Sequence, residues 1–250
     1  MDYSTIFQQR AEAYISACER WPDVRAEEIR AFLQKIDLRP DESLLDAPCG
    51  SGLLAGYLPS DCDYHGLDPA ESFYERAKAA RLSCSQASLR CSGLDTEHFN
   101  VIASLAGLHH EHNRIEIYRE WYRLLKPGGR LVIVDVWSGS ATDHFLNGFV
   151  NDWNSRGHHG DFLSVRDVSD LQRAGFAALT VEPLNLQWIA KDADIMSAFM
   201  CQLFDLDLLE DVHQLYKAWS AIGWDLSTVP CQIPWALTSI VARKEAPACV

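Results

Sequence analysis

The sequence predicts an α/β fold built on a doubly wound, mostly parallel sheet, and three observations predict it. Short apolar runs alternate with amphipathic ones from residue 25 to about 137, the rhythm of strands joined by crossover helices. The first apolar run closes on a carboxylate and a glycine turn, "LLDAPCGSG", Leu44 to Gly52. The second, "DYHGLD", closes on a carboxylate too, Asp68.

Taken in order, "RAEEIRAFLQKI" (25–36) carries apolar side chains at helical spacing, and "ESLLDA" is a short strand. "LLAGYL" is expected to begin a helix after the glycine turn, and "DYHGLD" is the second strand. "PAESFYERAKAA" is a helix that tolerates Pro69 in its first turn. "LSCSQAS" is a weak third strand, and "NVIASLAG" is a fourth, with a fully buried character. "EIYREWYRLL" sets Ile117, Trp121, Leu124 and Leu125 at helical spacing; "KPGG" ends it and "RLVIVDV" is the fifth strand.

The rhythm then changes. Residues 137–162 are rich in Gly, Ser, Asn and His around one amphipathic helix bearing Phe145, Phe149 and Trp153. "SVRDVSDLQRAGF" is another helix, with Ser164 and Asp167 spaced as a capping box and Gly175 at the stop. "ALTVEPLNLQWI" and "WALTSIVAR" are the last two strands, and the stretch from Ile195 to Trp224 between them is helical and apolar. The chain, 1–250, is expected to form one domain, with 137–162 and 191–230 as lid insertions over the mouth of the sheet.

With 250 residues, 48% of them hydrophobic, a packed core is well within reach. A net charge of −13 makes a nucleic-acid phosphate backbone a poor partner. No apolar run approaches the ~20 residues of a bilayer span. The opening "MDYSTIFQQRAEAYISACERW" lacks the basic and apolar regions of a secretion signal. A cytoplasmic protein with no membrane or nucleic-acid partner is the expectation. The eight cysteines (18, 49, 62, 84, 91, 201, 231 and 249) form no C-x-x-C pair and are expected to be buried thiols in a reducing compartment.

In open α/β sheets a ligand sits beyond the carboxyl ends of the strands, where the strand order reverses. Glycines let the backbone approach that ligand closely. Gly50, Gly52 and Gly56 are spaced G-x-G-x-x-x-G, out of register with the G-x-G-x-x-G of dinucleotide sites. Asp46 would repel a pyrophosphate and suits a cation. Asp68 can accept hydrogen bonds from the vicinal hydroxyls of a ribose. A nucleoside carrying an amino-acid cation and no phosphate satisfies both acids, and S-adenosylmethionine (SAM) is that molecule.

At this point the chain resembles class I SAM-dependent methyltransferases of the small-molecule type, over roughly residues 25–137 and more weakly in the last strands. "LLDAPCGSG" resembles their first motif and "YHGLDPAESFYERAKA" their second. "FNVIASLAGLHH" is similar to their fourth strand and the loop beside the transferable methyl, and "EWYRLLKPGGRLVIVDV" to the elements that follow. The resemblance implies a Rossmann-like sheet of seven strands whose last strand is antiparallel. It implies a cofactor site around Asp46, Ala47, Gly50, Gly52, Asp68, Pro69 and Leu105. "SQASL" (Ser85 to Leu89) lacks the acid that often contacts the adenine amine in that family, so backbone groups of Ser88 and Leu89 are expected to hold the base.

His109, His110 and His112 follow the fourth strand and are candidates for a general base, a cofactor or substrate contact, a metal site or local packing. His158, His159 and Asp161 lie in a glycine-rich loop, "NSRGHHGDF", either a mobile lid carrying a base or a solvated turn. An unperturbed imidazole pKa of roughly 6.5 suits proton removal at neutral pH. The catalytic candidates are therefore His109, His110 and His159; Asp135, Trp137, His144 and His158 are candidate substrate contacts. Without a second cluster of ligands at zinc spacing, no metal site is expected.

The activity expected is methyl transfer to oxygen or nitrogen of a small metabolite. The loop "SLAG" is unlike the N/D/S-P-P-Y signature of nucleic-acid amino-methylating enzymes in this family. An aminopropyltransferase of the same fold would need carboxylates along the fourth strand, and Val101 to Gly107 has none. A SAM-binding partner protein without catalysis is the other alternative, with the apolar 195–224 stretch as its interface or as that of a homodimer.

Overall fold

A computed structural model of the chain describes residues 3–225 and 227–246. Seven strands form one sheet: β1 (Ser43–Asp46), β2 (Asp63–Asp68), β3 (Cys84–Gln86), β4 (Phe99–Leu105), β5 (Leu125–Asp135), β6 (Ala177–Ala190) and β7 (Cys231–Arg243). Their order is β3-β2-β1-β4-β5-β7-β6. The first five strands are parallel, and β7 runs antiparallel between β5 and β6. The chain walks outward from β1 to β3 and then returns to β4 on the other side of β1. The order therefore reverses between β1 and β4, and the carboxyl ends of these two strands flank the crevice.

Strand alternation explains why both faces of the sheet are covered. Leu44, Val101, Ala103, Val132 and Val134 belong to one buried core, with Phe32 and Ile36 of α2 (Ala26–Ile36). Their neighbours Leu45, Ile102, Leu131 and Ile133 point to the opposite core, with Ile117, Tyr118 and Trp121 of α4 (Ile115–Leu124). Successive side chains of a strand face opposite sides, so near-continuous apolar runs require two layers of helices. The layers also include α3 (Glu71–Ala79) and α7 (Val165–Ala174), the latter closed by the Ser164–Asp167 capping box and by Gly175 at φ 109°.

Some elements differ from the sequence reading. "LLAGYL" forms only a short 3₁₀ turn, Leu53–Tyr57, because Gly56 lowers its helical propensity and Pro59 forces Leu58 into the extended region. "KPGG" lies inside β5, where the register with β4 shifts between Phe99 and Val101. The helix of 141–153 is made of α5 (Ala141–Asp143), a π-helical segment His144–Val150, and α6 (Asn151–Trp153). The apolar stretch before β7 yields α8 (Ala193–Leu203) and α9 (Val212–Ala221).

The largest omission is α1 (Tyr3–Arg20). Tyr3, Phe7, Ala11 and Tyr14 fall three or four residues apart, one face of a helix. That face packs on Ala70 and Phe73 of the β2–α3 corner, and α1 also lies against α8.

Among the described residues no cysteine is bridged. Cys18, Cys49 and Cys231 are buried, whereas Cys62, Cys84 and Cys201 are only partly so and Cys91 is exposed. The expectation of buried thiols is corrected for these four, which sit on the short outer strand β3 or on loop and helix surfaces. Cys249 lies outside the described residues. No helix among the described residues is long and apolar enough to cross a membrane.

Candidate active site

Beyond β1 the chain turns at Gly50 (φ 55°) and Gly52 (φ 81°). A side chain at Gly52 would place its Cβ 2.2 Å from Leu82 Cδ1, the movable end of a half-buried side chain, so it is the backbone angle that calls for glycine. The turn brings the Gly50 N–H to Asp68 Oδ2 at 2.7 Å, while the Ala70 N–H donates to Asp68 Oδ1 at 2.9 Å. The Tyr3 hydroxyl of α1 donates to the same Oδ2 at 3.0 Å. Asp46, at the end of β1, accepts from the Tyr64 hydroxyl at 3.0 Å.

Both carboxyls are buried, and burial raises each to about 7. At Asp46 the Tyr64 hydrogen bond opposes the rise and the charge of Asp68 adds to it. At Asp68 the N–H groups of Ala70 and Gly50, and then the Tyr3 hydroxyl, oppose it. Of the three donors to Asp68, the Tyr3 phenol is the one not fixed by the local backbone and so the one an incoming diol can displace.

Asp46, Gly50, Leu105, Ala106 and Gly107 line a hollow of about 70 Å³, narrowed by Tyr3, Phe7 and Tyr14 of α1. Ala47 is not in its wall; its buried N–H donates to the Ala103 carbonyl at 2.9 Å and ties the turn to β4. Pro69, Ser88 and Leu89 border a separate hollow with Ser4 and Glu111. There the Ser88 carbonyl already accepts from the Cys91 N–H at 3.2 Å.

A second cavity adjoins the first. The two share Phe7, Tyr14, Arg25 and Ala106, and Ala106 holds a left-handed φ of 47° there, a strained conformation for a residue with a Cβ. Aromatic walls come from Trp188, Phe204 and Trp235, with the two indoles stacked at 3.8 Å between ring centroids. Trp188 Nε1 donates to Glu28 Oε2 at 2.7 Å, and Glu28 is also held by the Arg25 guanidinium. Arg25 Nη1 in turn reaches the Tyr14 hydroxyl at 2.6 Å. Arg10, also in the wall and only 7% exposed, donates to the Phe204 carbonyl at 2.7 Å. Among the described residues no carboxylate stands within ion-pair distance of it; Asp205 and Asp207 act on it from further away.

His109, His110 and His158 complete this cavity, all buried. The fold thus joins residues of the two histidine-bearing stretches, and one ring nitrogen from each of the three lies within 4.8 Å of the others. Asp135 does not line the cavity. It accepts from His109 Nδ1 at 2.7 Å and from the Val136 N–H at 2.8 Å, and so positions the ring. Burial, reinforced by neighbouring histidines and Arg10, holds the imidazoles of His110 and His158 well below their ordinary pKa and keeps them neutral at pH 7.

The remaining candidates lie elsewhere. His159 is exposed and borders an outer hollow with Arg10 and His110. His112 is exposed, with Nδ1 3.4 Å from Asp161 Oδ2. His144 is exposed on the π-helical segment, and Trp137 packs against the second core, bridged to Leu163. Sequence reasoning missed Arg10, Tyr14, Arg25, Glu28 and Trp188. The available signal was the helical aromatic spacing of Tyr3, Phe7 and Tyr14, in a segment judged only for its lack of a leader.

A reversed strand order, an antiparallel β7 and an acid-lined glycine turn at the switch point define the fold of class I SAM-dependent methyltransferases. A family profile described as a methyltransferase domain matches residues 45–133. A proposed methyltransferase of Bacillus halodurans superposes with a TM-score of 0.65 at 19% identity, over 88% of this chain and 99% of its own. Haemonchus contortus phosphoethanolamine N-methyltransferase 2, solved with phosphomonomethylethanolamine and S-adenosylhomocysteine, gives 0.56 at 15% identity, over 87% and 52%. By sequence the chain is 30% identical over 118 residues to phosphoethanolamine N-methyltransferase 1 of Arabidopsis thaliana, 44% of this chain and 24% of that enzyme. The chain thus spans about a quarter of the length of this curated relative.

Proposed function

We propose that the protein is a SAM-dependent methyltransferase acting on oxygen or nitrogen of a small molecule. The observation that carries this reading is the shared wall of the two hollows. A cofactor beside Asp46 and Gly50 and an acceptor beside His109, His110 and His158 would meet across Phe7, Tyr14, Arg25 and Ala106.

Methyl transfer from a sulfonium is an in-line displacement with a neutral thioether as leaving group, so no acid is needed for departure. The protein aligns the acceptor, excludes water and, where the acceptor is protonated, manages its proton. Alignment alone is worth up to ~7–11 kcal/mol in intramolecular reactions. The aromatic and apolar walls from α1, the 137–162 stretch and the 191–230 stretch keep the reacting pair dry, which supports reading the latter two as lids.

The acceptor class that fits is a small molecule with an apolar or cationic portion against Trp188, Phe204 and Trp235 and an anionic group toward Arg10. Phosphoethanolamine, named for the Arabidopsis relative, has that charge pattern. Net charge of −13 disfavours nucleic acid, and unbridged cysteines suit a cytoplasmic setting.

Calorimetric titration with SAM and S-adenosylhomocysteine, with NAD as control, tests the reading. Binding of both sulfur ligands and not NAD is expected, followed by methylated product in a screen of small anionic amines. Absence of binding by either sulfur ligand overturns it, and cofactor binding without turnover of any acceptor leaves the non-catalytic partner protein as the better account.

A further inference from the structure

The two imidazoles of the cavity that have side-chain partners are fixed in one tautomer each. Asp135 Oδ1 only accepts when ionised, so His109 Nδ1, 2.7 Å away, carries the hydrogen and Nε2 keeps its lone pair. Asn147 settles His158 in the same way. Its Nδ2 donates to Asp143 Oδ1 at 3.1 Å and to the Gly160 carbonyl at 2.9 Å. Its Oδ1 accepts from the Gly160 N–H at 2.6 Å and faces His158 Nδ1 at 3.3 Å. His158 Nδ1 is therefore the donor, and its Nε2 is a bare acceptor as well. No hydrogen bond to the His110 ring is found among the described residues; its ring packs against Phe7 at 5.2 Å and Tyr3 at 6.2 Å between centroids.

Three imidazoles thus crowd together, and among the described residues no hydrogen bond reaches the second ring nitrogen of His109 or His158 or either nitrogen of His110, so their lone pairs are open to the cavity they line. The arrangement has the parts of a metal centre of catalytic type: three nitrogen ligands, a carboxylate behind one, an amide oxygen behind another, and a cavity on the open side. Zinc–nitrogen bonds of 2.0–2.1 Å place tetrahedral ligand nitrogens about 3.4 Å apart. The separations here, within 4.8 Å, close to that by side-chain rotation of about an ångström.

We infer that His109, His110 and His158 form a site for one divalent transition-metal ion of the zinc type, at the wall of the acceptor cavity. The open position faces the cavity, where an acceptor oxygen or nitrogen completes the shell. Arg10 weighs against a bare dication and favours one whose fourth ligand carries negative charge into the cavity. Asp135 is a positioning residue for the His109 ligand. The inference rests on the methyltransferase reading for the identity of the cavity, not for the ligand set.

The test uses the full chain without a polyhistidine tag, stripped by a chelator and shown to be folded by circular dichroism. Titration with Zn²⁺ by calorimetry and with Co²⁺ by visible absorption should give one ion per chain and the spectrum of a nitrogen-rich tetrahedral site. His158→Ala should abolish the site, and Asp135→Asn should weaken it about 10–100-fold. His158→Gln serves if the alanine variant does not fold. An unbound wild type, or an affinity that neither His158 variant changes, overturns the inference. SAM binding to each protein is measured separately: a wild type that binds SAM but no metal refutes the metal site alone, and a wild type that binds metal but not SAM refutes the cofactor reading alone.

Discussion

Lowering the pH from 8 to 6 should weaken the proposed SAM binding, because Asp46, which lines the hollow assigned to the cofactor, and Asp68, buried behind its glycine turn, both sit near neutrality. Burial raises Asp46 and Asp68 from 3.8 to about 7. A ligand carrying a sulfonium and an ammonium is favoured by the ionised carboxylate. If one such ionisation is required, the competent fraction falls from ~0.9 at pH 8 to ~0.1 at pH 6, about tenfold in affinity or ~1.4 kcal/mol. Binding near pH 6 should then release close to one proton, visible as a calorimetric heat that depends on the buffer's ionisation enthalpy. The stability of the free protein runs the other way. Between pH ~4 and ~7 the folded state retains protons that the unfolded chain has lost, so stability falls as pH rises through that window. Asp46→Asn should flatten both profiles. An affinity for SAM that stays constant from pH 6 to pH 8 would refute the reasoning.

Three further outcomes follow from particular contacts. Tyr3→Phe removes the phenol that competes for Asp68; stability should drop by ~1 kcal/mol while SAM binds up to about fivefold more tightly, and weaker binding would mean the phenol assists the ligand. Glu28→Gln breaks the buried pair with Arg25 and should cost about 3–5 kcal/mol in urea denaturation; a cost below ~1 kcal/mol would show that the pair is not desolvated. Gly52→Ala forces a side chain into φ 81° against Leu82, and an unfolding midpoint shifted by less than the equivalent of ~1 kcal/mol would show that the turn relaxes freely.

Where hydrophobic periodicity and chain-local punctuation set the structure, the sequence was readable. The Asp63–Asp68 strand has the bounds expected of "DYHGLD", and alternation such as Leu44 against Leu45 foretells helices on both faces. The carboxylates at the ends of β1 and β2 were legible because strand polarity dictates where strand ends meet. What stayed hidden depends on long-range meetings. Nothing local brings His158 to His109 and His110, because their approach is made by the return of the loop after the π-helical segment, where the Asp161 N–H bonds to the His109 carbonyl at 2.8 Å. Arg10 lies on a helix whose aromatic face is written in Tyr3, Phe7 and Tyr14, but its place against Phe204 is a tertiary contact spanning most of the chain. His144 illustrates the converse error: nearness in sequence to a functional loop does not turn a side chain inward.

The wall common to both hollows has a kinetic meaning. Phe7 and Tyr14 belong to one helix, and that helix also seals Asp68 through Tyr3. If the two hollows hold cofactor and acceptor as proposed, a shift of this one helix would reshape both at once, and loading of the two ligands would be coupled through Phe7 and Tyr14. Product-inhibition kinetics would then show an ordered pattern, and independent loading would show that Tyr3–Arg20 does not move.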